Sequence, residues 1–245
     1  MHAKPIFFLA LLALAVGITH AAGPAPKPGP ALKPGEYIAD GGWGTLSISN
    51  PQSKGLAFKL DSYGGNFHTC TLEGRIVDGE AKLDSSSDES ACLVRFAPTA
   101  EGIAVSGTES CREYCGARAS FEGLYLRPAA GCGGEAMRAT RAEFKRLYDR
   151  KQYAPALAKL APLPERCART LDRYENGEIL NDIAITQYKL GQRDACLRTL
   201  APLAEDAAMS DDAIREGYPP SDADVWLPIV KAARFNLGLC RKKPR

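Results

Sequence analysis

The sequence predicts an α+β two-domain protein, an antiparallel meander β-barrel followed by helical hairpins. Three observations carry that expectation. Apolar residues recur at every second position, in short runs, from Glu36 to Arg127. From Glu135 onward they recur at steps of three and four. Cysteines, 8 in all, are spread through both halves, as in an exported chain stapled by disulfides.

The chain starts with Lys4 ahead of an apolar stretch, Ile6 to Ile18, followed by Thr19 and Ala21 at small-residue positions. Residues 1–22 read as a secretory signal peptide, too short to span a bilayer comfortably. No cysteine follows closely enough for a lipid anchor, and no later stretch is long and apolar enough to cross a membrane. The expectation is a periplasmic or secreted protein with no membrane insertion. Residues 23–35, GPAPKPGPALKPG, form an extended Pro/Gly-rich linker. The barrel domain then covers 36–128 and the helical domain 132–245.

Charge and composition exclude several classes of function. The full chain has a formal net charge of +2, and cleavage of the leader removes Lys4. Such a weak field does not gather nucleic acid, and the basic tail of Arg241, Lys242, Lys243 and Arg245 reads as a solvated terminus. Of the 3 histidines only His68 lies beyond the leader, which excludes a histidine-rich zinc site. There is no CxxC pair and no haem-attachment motif. No metal and no cofactor are expected.

In the first half, Leu46 and Ile48 alternate with serines, and Phe58 and Leu60 with Ala57 and Lys59. Cys70, Leu72 and Ile76 share one parity; Ala81 and Leu83, then Cys92, Val94 and Phe96, then Ile103 and Val105 continue the pattern, and Phe121 and Tyr125 close it. Turn signals stand between them at Asn50-Pro51, Gly64-Gly65-Asn66, Asp78-Gly79 and Glu101-Gly102. Seven or eight short strands so spaced predict a small meander, closed or nearly closed.

In the second half, three helical stripes stand out. They are Met137, Phe144, Leu147 and Tyr148; Leu180, Ile183, Ala184 and Tyr188; and Trp226, Val230, Ala233, Leu237 and Cys240. Ser221 with Asp224 reads as a capping box that starts the last helix. Residues 147–163, LYDRKQYAPALAKLAPL, repeat at an offset of 40 as QYKLGQRDACLRTLAPL, residues 187–203. Tyr148 matches Tyr188, Gln152 matches Gln192, Leu157 matches Leu197, and Leu160–Leu163 matches Leu200–Leu203. Such a repeat means stacked helical hairpins. From Asn181 on, Tyr188, Gly191, Ala195 and Pro202 resemble a tetratricopeptide repeat, and Arg234 to Lys242 looks like the first helix of another unit. The offset of 40 departs from the family's roughly 34 residues. Residues 205–221, with Gly217, Pro219 and Pro220, read as an inserted loop. The resemblance implies a short array that binds a protein or peptide.

Short-turn helical hairpins bring the start of one helix beside the end of the next. That places Cys132 with Cys167, and Cys196 with Cys240. In the strand half, parity points both Cys70 and Cys92 inward, so they are expected to pair, leaving Cys111 and Cys115 to close a small loop. The alternative has Cys70 and Cys92 each crossing to the 111–115 stretch.

That stretch, CREYCGARASFEGLY, is the most eventful in the chain. A CxxxC pair outside any βαβ unit reads as structural rather than redox-active. His68 has no nucleophile motif beside it, and Glu109, Glu113 and Glu122 with Arg112 and Arg118 read as rim charges rather than paired catalytic carboxylates. No enzymatic activity is expected. Tyr37, Trp43, Tyr63 and Tyr114 are core plugs or contact anchors. Candidate protein-binding residues are Arg112, Glu113, Tyr114, Arg118, Tyr63 and Trp43. The strand domain is similar in plan, without their signature motifs, to small exported barrels such as periplasmic lysozyme inhibitors. That likeness implies an inhibitor or immunity protein whose partner is a cell-wall-degrading hydrolase or a secreted toxin. An envelope scaffold built on the helical repeats is the competing expectation.

Overall fold

The structure, a computed structural model, describes residues 31–50, 55–84 and 91–242. The leader, most of the linker, the proline of the Asn50-Pro51 turn, and Lys243 and Arg245 lie outside the described residues.

The first half is the expected meander. Its strands are β1 (Gly35–Ala39), β2 (Gly44–Ser49), β3 (Leu56–Tyr63), β4 (Thr69–Ile76), β5 (Glu80–Leu83), β6 (Cys92–Pro98), β7 (Gly102–Gly107) and β8 (Gly123–Leu126). They form one antiparallel sheet in the order β4-β3-β2-β1-β8-β7-β6-β5. The inward faces are the residues the alternation selected: Leu46, Leu60, Leu72, Val94, Phe96, Val105 and Tyr125 lie in one buried cluster. The sheet curls until its two outer strands, β4 and β5, meet. They are joined by a two-residue turn at Asp78-Gly79, with φ of 51° and 83°, the left-handed pair of a type I′ hairpin. Val77 and Glu80 exchange both backbone hydrogen bonds, at 2.8 and 3.0 Å, and the strands then part. The barrel is therefore closed all round except for a seam that opens away from this turn.

The seam is where the expected cysteine pairing fails. The structure pairs Cys70 with Cys115 and Cys92 with Cys111. Cys70 and Cys92 both face inward, but one is on β4 and the other on β6, with β5 between them. The crossing arrangement follows, and the stretch around residues 109–115 becomes a strap over the seam.

The second half comprises α1 (Gly134–Asp149), α2 (Tyr153–Leu160), α3 (Leu163–Arg166), α4 (Arg173–Lys189), α5 (Arg193–Thr199), α6 (Ala204–Ala208), α7 (Asp211–Gly217) and α8 (Pro220–Arg241). The 40-residue repeat is visible in the backbone. Lys151 and Gly191 take φ of 60° and 76°. Gln152 and Gln192 follow with nearly equal torsions, −83°/63° and −86°/62°. Each then accepts the equivalent helical bond, from Ala156 N and Cys196 N, both at 3.0 Å. Leu160, Leu200, Leu163 and Leu203 are all buried. Cys132–Cys167 and Cys196–Cys240 form as expected from the hairpin geometry.

Two expectations need correction. Residues 205–221 are mostly helical, because Ser210 caps α7 by accepting from Ala213 N at 3.1 Å. Ser221 is not the cap of the last helix, which already begins at Pro220 after Pro219. Its cap comes from the barrel instead.

Candidate functional site

Three regions hold the chemistry-bearing side chains: the strap, the junction between the halves, and a cleft among the helices.

The strap is held at four places. Besides its two disulfides, Ser110 Oγ donates to Ala91 O at 3.0 Å, and Tyr114 OH donates to Asp84 O, at the end of β5. Gly116 N donates to Thr69 O at 2.8 Å, and the His68 ring lies against Gly116. His68 thus has a packing role. Arg112, Glu113 and Arg118 are exposed on the outer surface, and Tyr114 is half-buried. Burial raises the Tyr114 phenol above its usual pKa. A cavity of about 340 Å³ sits under the strap, lined by Glu109, Arg112, Phe121 and Glu122 among others.

Tyr63 and Trp43 sit elsewhere. Trp43 plugs the barrel end, edge-on to Tyr125 with ring centroids 5.8 Å apart, and its Nε1 donates to Asp40 O. Tyr63 belongs to the junction. It stacks on Phe67, which meets Tyr174 of α4 at 5.4 Å. Burial, and then the Asp172 carboxylate to which it is hydrogen-bonded, push its phenol far above the usual range.

At this junction the barrel completes two helix starts and packs against a third. Helix N-termini leave backbone N–H groups without intrahelical partners and favour negative charge. Neither α1 nor α8 has a side-chain cap of its own. Glu36 of β1 accepts from Gly134 N at 3.1 Å. Asn66, held at φ 60° beyond β3, accepts from Ser221 N and donates its own N–H to Asp222 Oδ2, both at 2.9 Å. The α4 start is capped by Asp172, and Gly42 is so close that a Cβ there would lie 2.2 Å from Asp172 N. Arg169 seals the edge, with Nη2 2.5 Å from Asp40 and Nη1 2.8 Å from Glu101. Its guanidinium holds the Asp40 carboxyl below its usual value.

With their starts fixed on one plate, α4 and α8 run parallel. Gly177 packs on Trp226 and Ile229, and Asn181 Nδ2 donates to Gly177 O and to Ile229 O. Asn236 Nδ2 in turn donates to Asn181 Oδ1 at 3.1 Å, a buried polar clasp that sets the register between the helices.

Beside this clasp a cleft of about 290 Å³ is lined by Arg141, Glu178, Asn181, Asp182, Pro228, Ile229 and Ala232. Arg141 of α1 pairs with Glu178 at 2.8 Å and lies 4.0 Å from Glu175. Asp182 makes no side-chain hydrogen bond or ion pair among the described residues. Burial lifts its carboxyl to about 6, against the pull of Arg141 and with help from Glu178. Three carboxylates thus face one cation. On α8, Val225, Pro228, Ala232 and Phe235 form an exposed apolar line at steps of three, four and three, with Phe235 65% exposed. Their spacing is that of a helix-docking seam. Sequence reading missed this line, because it followed the buried stripe of α8 through Trp226 and Val230; the second apolar periodicity on the same helix was the available signal.

Among the described residues there is no cluster of metal-ligating side chains and no helix long and apolar enough to cross a membrane. Four disulfides and no free cysteine among these residues place the chain in an oxidising compartment. Compared with known proteins, the chain matches no family model, no curated protein and no solved structure. Its class is the one its own architecture defines, a disulfide-strapped β-barrel joined to a repeated helical array.

Proposed function

We propose that this chain is a periplasmic protein-binding protein whose helices, a short tetratricopeptide-like array, receive an amphipathic helix from a partner. The apolar face of that helix lies along Val225, Pro228, Ala232 and Phe235, and a lysine or arginine on it meets Glu178 and Asp182. The single observation that carries this reading is the uncovered apolar line of α8 beside an acidic cleft whose Asp182 has no ion-pair partner among the described residues. An exposed apolar line of this kind on one helix marks a surface for another chain. A desolvated carboxyl without a partner is stabilised by an incoming cation.

Panning a displayed library of amphipathic helices on the mature chain tests the reading. Helices with heptad-spaced apolar residues and a basic residue should be enriched. Phe235→Asp and Asp182→Asn should each weaken their binding about tenfold or more. Binding should strengthen from pH 5 to pH 7, because Asp182 gains its charge near 6. If no such helix is enriched, or both substitutions leave binding unchanged, the reading fails.

The strap favours a second reading, inhibition of a cell-wall hydrolase, because it presents Arg112, Glu113 and Arg118 on a loop fixed by two disulfides. Preorganised loops lose little entropy on binding. Inhibition of a lysozyme-type enzyme that is relieved by Arg112→Ala with Arg118→Ala, and indifferent to Phe235→Asp, would select it.

A further inference from the structure

Arg173, the first residue of α4, lies with its guanidinium carbon 4.2 Å from the centroid of Trp226, 4.6 Å from that of Tyr218 and 5.4 Å from that of Tyr174. The polar edges of all three rings are turned away and satisfied. Trp226 Nε1 and Tyr218 OH both donate to Asp206 Oδ2, at 2.6 and 2.9 Å. Tyr174 OH donates to Asp222 Oδ1 at 3.1 Å. What the rings leave for Arg173 is their faces, where the negative end of the ring quadrupole attracts a cation. Arg173 itself is exposed and makes no ion pair or hydrogen bond among the described residues.

We infer that the Trp226, Tyr218 and Tyr174 cage is a binding site for a quaternary ammonium group, and that Arg173 is its resident plug. Two features favour a cation over an anion that would bind the outer edge of Arg173. The carboxylates of Asp172, Asp206 and Asp222 stand around the cage and repel an anion. A trimethylammonium group needs aromatic faces and no hydrogen-bond acceptor, which is what remains once the hydroxyls and the indole N–H are engaged. Arg173 is held by stacking alone, so its long side chain can swing into solvent when a ligand enters. The site is distinct from the α8 docking line and does not depend on it.

Titration of the mature chain with choline, in a Trp43→Phe background so that Trp226 alone reports, tests the inference. Fluorescence should change saturably in the millimolar range. Arg173→Ala should tighten binding about tenfold, and adding Tyr218→Ala should then weaken it about tenfold. The neutral analogue 3,3-dimethylbutanol should not compete. Phosphatidylcholine and phosphatidylglycerol vesicles separate the sources of the group: sedimentation with the former alone assigns a lipid headgroup, and binding of free choline without either assigns a soluble ligand. Failure of wild type or of Arg173→Ala to saturate, with its melting temperature retained, overturns the inference. So does equal binding of the neutral analogue.

Discussion

The barrel and the helical half each hold two disulfides but use them differently. In the helices, Cys132–Cys167 and Cys196–Cys240 tie together elements that already pack side by side. In the barrel, Cys70–Cys115 and Cys92–Cys111 anchor a strap across strands that hydrogen bonds leave apart. Disulfides thus reinforce a contact in one half and replace a missing one in the other. The difference also shows how the halves depend on each other, because the barrel end opposite in role to the strap supplies what the helix starts lack.

Removing both strap pairings should have the largest effect. Loop entropy alone assigns about 4 kcal/mol to a bridge closing 45 residues and nearly the same to one closing 35. Replacing Cys70 and Cys115 by serine should cost clearly more in urea denaturation than replacing Cys132 and Cys167, because only isolated backbone bonds such as Gly116 N to Thr69 O would then hold the strap to β4; equal losses would reduce the strap to an ordinary staple. Gly42→Ala comes next, at about 2–4 kcal/mol, since the new Cβ collides with the Asp172 backbone and φ is +79°. Calorimetry should show its unfolding split into two transitions, one per half. Asn66→Gly keeps the left-handed backbone and removes only the side-chain acceptor, for a loss of about 1 kcal/mol. Smallest is a gain. Lys151→Gly gives the first hairpin the residue that Gly191 supplies in the second, and should raise stability by about 0.5–1 kcal/mol in thermal melts.

The same contrast explains what could be read in the sequence. Helical adjacency follows from short turns, so both helical bridges were legible from Cys132, Cys167, Cys196 and Cys240. Strand parity says only which face a residue occupies. It put Cys70 and Cys92 inward correctly but said nothing of β5 lying between them. The junction was invisible for a related reason. Asn66 looked like a turn residue and Ser221 like a cap, and only the fold brings one to the other across 155 positions. For Tyr63 the sequence left open a core plug or a contact anchor, and only the fold sets it beside Asp172 and Phe67. The candidate cleft was hidden because Arg141, Asp182 and Ala232 come from three helices, none with a motif of its own.

The barrel and the helices are locked together, so that α4 and α8 stand parallel. Native-state hydrogen exchange of the Asn66 and Ser221 amides measures this directly, because each donates to the other half of the molecule. Both amides should exchange only through global unfolding, with the same opening free energy as the Leu60 and Val94 amides of the barrel core. Exchange at the rate of an unstructured segment, with the barrel core still protected, would show that the two halves move independently and would contradict the account.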